Sequence, residues 1–172
     1  MAKRVGRAAP WRYNREESLG YLVNHLGRVL ARALERRLVR HGVPLGQFPL
    51  LLALWEEENL TQSEIARRLD VEQPTVANTL RRMERDGLVT AAPDPSHRRQ
   101  VLIKLTEKGR KLERPLKLEA RAVNQAAAAD MSPSELDAFR QAIRLMTDRV
   151  QQEPASASDA AWARITLPPR SR

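Results

Sequence analysis

Residues 61–89 have the sequence TQSEIARRLDVEQPTVANTLRRMERDGLV, which predicts two short helices joined by a turn. Thr61 and Glu64 have the Thr-x-x-Glu spacing of a capping box, in which each side chain satisfies a backbone donor exposed at a helix start. Ile65 and Leu69 lie four residues apart and give this first helix one apolar side. We therefore expect a short helix that docks through that side.

A second helix is expected to start near Glu72, after a turn at Asp70. Pro74 suits its first turn because an N–H at that position lacks an intrahelical partner. Three apolar residues at helical spacing are expected to form its buried stripe, and these are Val76, Leu80 and Met83.

The remaining faces of these two helices carry side chains suited to base edges and phosphates. Asn and Gln match adenine bidentately and Arg matches guanine, and a helix-turn-helix lays its second helix in the major groove. The predicted DNA contacts are Arg67, Arg68, Gln73, Thr75, Asn78, Thr79, Arg81 and Arg82. Taken alone, the same residues also fit a helical hairpin with a solvated charged face.

The segment after Gly87, a residue typical of a helix end, predicts a β-hairpin. Leu88–Thr90 is short and β-prone, and Val101–Thr106 is a better strand. The loop between them carries Arg98 and Arg99, two permanent cations near its tip. A helix-turn-helix followed by a basic hairpin is a winged helix, whose wing is expected to reach the minor groove or the phosphates beside it.

This order of elements resembles the MarR family of dimeric winged-helix transcription regulators, including its SlyA-like branch. The resemblance is carried by NLTQSEIARRLDVEQPTVANTLRRMERDGLV and DPSHRRQVLIKLTEKGR, and it covers roughly residues 18–150. In that family the wing carries an Asp-x-Arg element whose arginine enters the minor groove. Arg99 matches this arginine, but His97 occupies the acidic position, and Asp94 is an alternative anchor across the loop.

The expected fold is mainly α with a small β-hairpin wing, a winged helix-turn-helix with long N- and C-terminal dimerisation helices. The predicted segments are a basic N-terminal arm (1–15), a dimerisation helix (16–44), the DNA-binding domain (45–106), the C-terminal dimerisation helices (107–152) and a weakly ordered tail (153–172). Pro115 is expected to bend the first C-terminal helix, and Ser132 to cap the second.

Composition narrows the classes of partner and of chemistry. The 172 residues carry a formal net charge of +9, which favours nucleic acid or an anionic membrane surface. The sequence has no apolar run of about 18 residues and no hydrophobic signal segment, so a cytoplasmic protein outside the membrane is expected. It has no cysteine, which excludes disulfides, thiolate metal sites and thiol-based peroxide sensing.

No catalytic set is predicted. The three histidines, His25, His41 and His97, lie in unrelated contexts. The sequence has no His-Glu-x-x-His motif, no glycine-rich phosphate loop and no Gly-x-Ser-x-Gly elbow. We therefore expect no enzyme activity, no metal site and no cofactor.

A line of polar side chains flanks the apolar stripe of the first predicted helix. Tyr21, His25 and Arg28 have i, i+4, i+7 spacing. In the resembling family an aromatic effector occupies a pocket between the dimerisation helices and the winged helix, so these three residues and Trp55 are candidate effector contacts. The alternative places the three at a subunit interface or in water, and Trp55 in the core.

The long terminal helices expose more apolar surface than one small winged-helix unit needs, so a second copy of the chain is expected to cover it. The resemblance implies a homodimer on double-stranded DNA, with inverted half-sites about 10 bp apart. It further implies a repressor relieved by a small aromatic or phenolic effector. The alternative is an architectural or protein-interaction module that binds nucleic acid without sequence choice.

Overall fold

The computed structural model describes residues 14–96 and 100–152. The chain divides into two compact units, one that extends to Ala127 and one that starts at Ala128. The predicted arm up to residue 13, the tail from residue 153 and the wing residues 97–99 lie outside the described residues. The predicted functional boundaries therefore stay predictions.

The first unit contains helices α1 to α6 and a three-stranded sheet. In chain order these are α1 (Leu19–Leu38), two 3-10 turns (Val39–His41 and Leu45–Gln47), α2 (Phe48–Glu56), β1 (Leu60–Thr61), α3 (Gln62–Leu69), α4 (Gln73–Arg85), β2 (Val89–Pro93), β3 (Val101–Leu105), α5 (Glu107–Lys111) and α6 (Glu113–Ala127). The second unit contains α7 (Pro133–Gln151).

The predicted capping box at the start of α3 is confirmed. The Glu64 backbone N–H donates to Thr61 Oγ1 at 3.3 Å, and the Thr61 N–H donates to Glu64 Oε2 at 2.7 Å. Ile65 is fully buried, and Leu69 packs against the core, so the apolar side docks as expected. The helix ends at Asp70, whose φ of +50° turns the chain toward α4.

Helix α4 begins where predicted, and a glycine-containing capping motif ends it. Pro74 lies in its first turn. At the other end Gly87 has a φ of +70°, which glycine adopts without the steric penalty of a Cβ. The Gly87 N–H donates to the Glu84 carbonyl and the Leu88 N–H to the Met83 carbonyl, both at 2.9 Å, which is the Schellman pattern.

The hairpin prediction is confirmed, and the sheet has one further strand. β2 pairs antiparallel with β3 from Val89 opposite Leu105 to Pro93 opposite Val101, so β2 extends further than expected. β1 adds to the other edge of β3, with Leu60 opposite Ile103. Two residues are too short to give an alternating pattern, which explains why the sequence did not predict β1.

Gly109 lies where α5 approaches the sheet too closely for any other residue. A Cβ on Gly109 would come 2.3 Å from the Leu88 carbonyl oxygen. The indole N–H of Trp55 donates to the Gly109 carbonyl at 3.0 Å, and the Trp55 side chain packs against the hydrophobic core. This contact ties α2 to α5.

The first C-terminal helix, predicted to bend at Pro115, is instead two helices. Pro115 has no N–H to donate to the Lys111 carbonyl, and its ring crowds that carbonyl. α5 therefore ends at Lys111, and α6 begins at Glu113. The long first helix also ends earlier than expected, at Leu38, and a 3-10 turn leads to Gly42 with a φ of +71°.

Helix α1 is buried at its C-terminal end and exposed along its N-terminal half. Leu38 is fully buried, whereas the apolar stripe from Leu19 to Val29 is exposed, including Leu22 (46%) and Val23 (47%). Arg37 Nη1 donates to Glu119 Oε2 at 2.9 Å, which ties the end of α1 to α6. Among the described helices, none is long and apolar enough to cross a membrane.

Helix α7 has the capping box predicted at Ser132. The Glu135 N–H donates to Ser132 Oγ at 3.3 Å, and the Ser132 N–H donates to Glu135 Oε2 at 2.8 Å. Pro133 occupies the first helical position, as its missing N–H allows. Apolar side chains of this helix are exposed, among them Phe139, Leu145 and Val150.

Candidate nucleic-acid interface

Helix α4 buries its whole predicted apolar stripe inside the first unit. Val76 and Met83 are fully buried, and Leu80 is 5% exposed. Because these residues lie on one side of the helix, the opposite side faces solvent along its length. That solvent face is the candidate interface.

Three predicted contacts lie together on this face. The side-chain oxygen of Asn78 accepts a hydrogen bond from the Arg81 guanidinium. Arg82 Nε donates to the Asn78 backbone carbonyl at 3.2 Å. Asn78, Arg81 and Arg82 are all exposed, so the patch combines an amide with two permanent cations. Arg85 extends the same face and was missed, although its spacing from Arg81 and Arg82 signals it.

The N-terminal end of α4 is tied to α3 by two glutamines. Gln62 Nε2 donates to the Gln73 carbonyl at 3.2 Å, and Gln73 Nε2 donates to Ser63 Oγ at 3.4 Å. Gln73 and Thr75 are exposed in the first turn of α4. Gln62 and Ser63 were not predicted, because the contact depends on how α3 crosses α4.

Thr79 does not belong to this face, contrary to its prediction as a DNA contact. It is 6% exposed, and its hydroxyl donates to the Thr75 carbonyl at 2.9 Å within the same helix. At three residues from Val76 and four from Met83, it lies on the buried side of α4. We therefore remove Thr79 from the candidate interface.

The two arginines of α3 differ in their partners. Arg68 forms an ion pair with Glu57, which follows α2. Arg67 is exposed. Glu64, on the same helix, accepts hydrogen bonds from the Thr61 backbone and side chain, and these keep the pKa of its carboxyl below the usual value. It therefore remains a carboxylate that caps α3 at neutral pH.

The described part of the wing is closed at its base. The Asp94 N–H donates to the Gln100 carbonyl at 2.9 Å, and Asp94 Oδ1 accepts from the Ser96 N–H at 2.8 Å. The predicted DNA contacts Arg98 and Arg99, and His97 at the usual acidic position, lie outside the described residues.

Three of the four predicted effector contacts lie together on α1. The rings of Tyr21 and His25 stack at 6.2 Å between centroids, and Arg28 is exposed one turn further along. Trp55 lies elsewhere, edge-on to Phe48 at 6.3 Å between ring centroids. Within residues 14–96 and 100–152, no group of His, Cys, Asp and Glu side chains is arranged to hold a metal ion.

The sequence matches the model of the MarR family over residues 41–100, which span the helix-turn-helix and most of the wing. The HTH-type transcriptional regulator TtmR of Methylorubrum extorquens is 38% identical over 98 residues, 57% of this chain and 50% of the relative. This chain spans 50 to 65% of the length of three such curated relatives. All three are named as transcriptional regulators or repressors rather than as enzymes.

Solved structures share the fold. A putative MarR family regulator from Listeria monocytogenes, complexed with a 26mer DNA, superposes with a TM-score of 0.73 at 18% identity, covering 91% of this chain and 99% of that one. BpsR of Bordetella bronchiseptica, whose DNA binding is regulated by 6-hydroxynicotinic acid, gives 0.73 at 24% identity, covering 80% and 99%. These likenesses show a winged-helix fold.

The capped α3–α4 pair and the first strand of the wing, β2, lie inside the segment that the family model matches. The SlyA-like branch stays a prediction. The sequence match identifies residues 41–100 as a MarR-family segment, and the related regulators and the shared winged-helix fold agree with that match.

Proposed function

We propose that this chain is a sequence-reading DNA-binding transcriptional regulator. The observation that carries the proposal is the division of α4 into a fully buried apolar side and a solvent face built from Asn78, Arg81 and Arg82. Such a face fits the major groove, where amide and guanidinium groups distinguish base pairs. The structure of the Listeria relative with DNA supports the same use of the fold.

The exposed side chains divide by the contact that each is suited to make. The side chains proposed to approach bases lie in the first three turns of α4, and these are Gln73, Thr75, Asn78 and Arg82. Arg67, Arg68 and Arg81 supply phosphate contacts, which position the protein without reading sequence. Arg98 and Arg99 are proposed for the minor groove or the adjacent backbone.

The working form is a homodimer on an inverted repeat. The exposed apolar stripe of α1, with Leu22, Val23, Leu26 and Val29 between 37% and 47% exposed, supports this because a second copy would remove it from water. Two-fold symmetry then places two α4 helices in successive major grooves, with half-sites about 10 bp apart centre to centre.

Repression relieved by a small aromatic effector completes the proposal. Regulation of BpsR by 6-hydroxynicotinic acid supports this ligand class. Tyr21, His25 and Arg28 are the proposed polar contacts, since they are exposed side by side on α1. Trp55 offers only its ring, because its indole N–H is already used by the Gly109 carbonyl. Aromatic carboxylates that raise the thermal unfolding temperature and release bound DNA would identify the effector.

Selection of bound duplexes from a random library at near-physiological salt tests the DNA-binding proposal. The expected result is an inverted repeat with half-sites about one helical turn apart. Recovery of duplexes without a shared motif would contradict the proposal and would favour an architectural role instead.

A further inference from the structure

The C-terminal end of α4 carries an unusual charge. Asp86 is the C-cap residue that directly follows Arg85, at the end where the backbone carbonyls make the helix dipole negative. A carboxylate at that end is electrostatically unfavourable, so its presence calls for a compensating contact. The main one comes from Gln47, which the sequence did not single out.

Gln47 is a buried polar residue, and among the described residues its side chain hydrogen-bonds to Asp86. Its side chain is 3% exposed, and Nε2 donates to Asp86 Oδ2 at 2.7 Å. Its Oε1 has no hydrogen-bond partner among the described residues. A half-satisfied buried amide is costly, and an apolar side chain of the same size would avoid that cost. The amide is therefore hard to explain by stability alone.

Gln47 is connected to α1 through the backbone that follows this helix. Gln47 ends the 3-10 turn that follows Pro44, and its backbone N–H donates to the Pro44 carbonyl at 3.0 Å. The Val43 N–H donates in turn to the Leu38 carbonyl at 3.3 Å, and both side chains are buried. The Gln47 amide is thus held on a rigid extension of α1.

On the other side, the end of α4 is held by the segment that follows the wing. Lys108 Nζ donates to the Asp86 carbonyl at 2.7 Å, and Thr106 Oγ1 donates to the Gly87 carbonyl at 2.7 Å. Arg85 Nε also donates to Asp86, at Oδ1, from within α4. The Gln47 hydrogen bond, followed by that of Arg85, keeps the pKa of the Asp86 carboxyl below its usual value. The Gln47 hydrogen bond is the contact that joins the end of α4 to the 3-10 turn that follows α1.

We propose that Gln47 is a positioning residue that fixes the direction of α4 relative to α1 through Asp86, and thereby sets the half-site separation that the protein prefers. The inference rests on the proposed function, with α1 in the dimer interface. Because the two chains are related by a two-fold axis, a displacement of α4 in one chain is repeated by symmetry in the other. A small displacement of α4 at the Gln47–Asp86 contact therefore changes the distance between the two α4 helices by twice its component along that distance.

The test compares duplexes that carry the selected half-sites at separations of about 9, 10 and 11 bp, together with a single half-site. Gln47→Met removes the amide and keeps the volume, and Asp86→Ala breaks the contact from the other side. Asp86→Asn is the matched control, because its amide oxygen still accepts from Gln47 Nε2. Thermal unfolding of each variant reports whether it is folded.

We expect the wild-type protein to prefer one separation by about tenfold or more, in line with the cost of a mismatched site. Gln47→Met and Asp86→Ala should reduce that ratio to about two- to threefold, and Asp86→Asn should retain it. Affinity for the single half-site should stay within about twofold in all variants, since no base contact is changed.

An unchanged separation preference in folded Gln47→Met would overturn the inference and leave the proposed function intact. A uniform loss of affinity at every separation and on the single half-site would also overturn it, because Gln47 would then act on stability. A wild-type protein with no preferred separation would refute the proposed dimeric function, and the inference with it.

Discussion

Helices α1 and α4 are both amphipathic, but only α4 finds cover for its apolar side within one chain. Val76, Leu80 and Met83 of α4 are at most 5% exposed, whereas Leu22 and Val23 of α1 are 46% and 47% exposed. The same amphipathic pattern therefore leaves the polar face of α4 exposed, and the apolar face of α1 exposed. In the proposed function, the polar face of α4 binds DNA, and the apolar face of α1 packs against a partner copy.

The difference follows from what surrounds each helix. α4 is enclosed by α3, the second 3-10 turn and the sheet, and hydrogen bonds hold both of its ends. Among the described residues, the buried anchor of α1 lies toward its C-terminal end, where Leu38 is buried and Arg37 pairs with Glu119. Mutations should consequently destabilise the α4 side at any protein concentration, and the α1 side in a concentration-dependent way.

We expect the largest loss of stability from Met83→Ala, which removes a buried side chain of α4. Met83 is fully buried, so truncation leaves a cavity and should lower the free energy of unfolding by about 2–5 kcal/mol. Urea denaturation at two protein concentrations measures this, and the loss should be the same at both. A strongly concentration-dependent loss would mean that α4 is not seated within a single chain.

Leu26→Asp on the exposed stripe of α1 should act on assembly instead. A buried unpaired carboxylate at a dimer interface should weaken association by about 100-fold, equivalent to about 2.7 kcal/mol. Sedimentation equilibrium should show monomers at concentrations where the wild-type protein is dimeric. Glu35→Gln, on an exposed position of the same helix, is the control and should remain dimeric. Unaltered association of Leu26→Asp would place the interface elsewhere.

Gly109→Ala should destabilise the body that carries α4. The new Cβ would meet the Leu88 carbonyl at 2.3 Å, so the backbone of α5 or of the wing must shift, at a cost of about 1–3 kcal/mol. Gly46→Ala is the matched control, because nothing lies within 4 Å of its added Cβ. Thermal unfolding compares the two, and equal melting temperatures would argue against the close approach of α5.

The smallest effect concerns the anchor of α1 and depends on pH. A hydrogen bond from Arg37, and a second one from His41, lower the pKa of the Glu119 carboxyl below its usual value. A carboxyl with a depressed folded pKa contributes stability above its unfolded pKa, and this is lost as pH falls through the folded value. The wild-type protein should therefore have a higher melting temperature than Glu119→Gln at pH 7, and this difference should shrink as the pH falls through the folded pKa of the carboxyl. A difference that stays constant over the whole acid range would exclude this carboxylate as its cause.

The parts of the fold that follow from local rules were predictable from the sequence. The capping boxes at Thr61 and Ser132, the turn at Gly87 and the buried stripe of α4 each depend on a few neighbouring residues. Elements that depend on distant neighbours were not predictable in the same way. The strand β1 required the packed chain, because it forms only by pairing with the distant β3. The division of the helix near Pro115 and the burial of Thr79 had local signals, in the proline and in the helical spacing, that the prediction did not use.

The candidate site divides in the same way. Residue types and helical spacing were enough to select Asn78, Arg81 and Arg82, which the structure brings together on one exposed face. The Gln47–Asp86 contact was missed because it joins residues 39 positions apart in the sequence. An aspartate at a helix C-terminus was its one local signal.

The central claim is that the exposed face of α4 reads base sequence. The most direct measurement is the ratio of affinities for the selected duplex and for a scrambled duplex, in the wild-type protein and in Asn78→Ala. Glu84→Ala, an exposed position on the flank of α4, serves as the control. We predict that Asn78→Ala lowers the ratio by about tenfold or more, with affinity for the scrambled duplex nearly unchanged. Equal losses on both duplexes, or no change in the ratio, would contradict the claim.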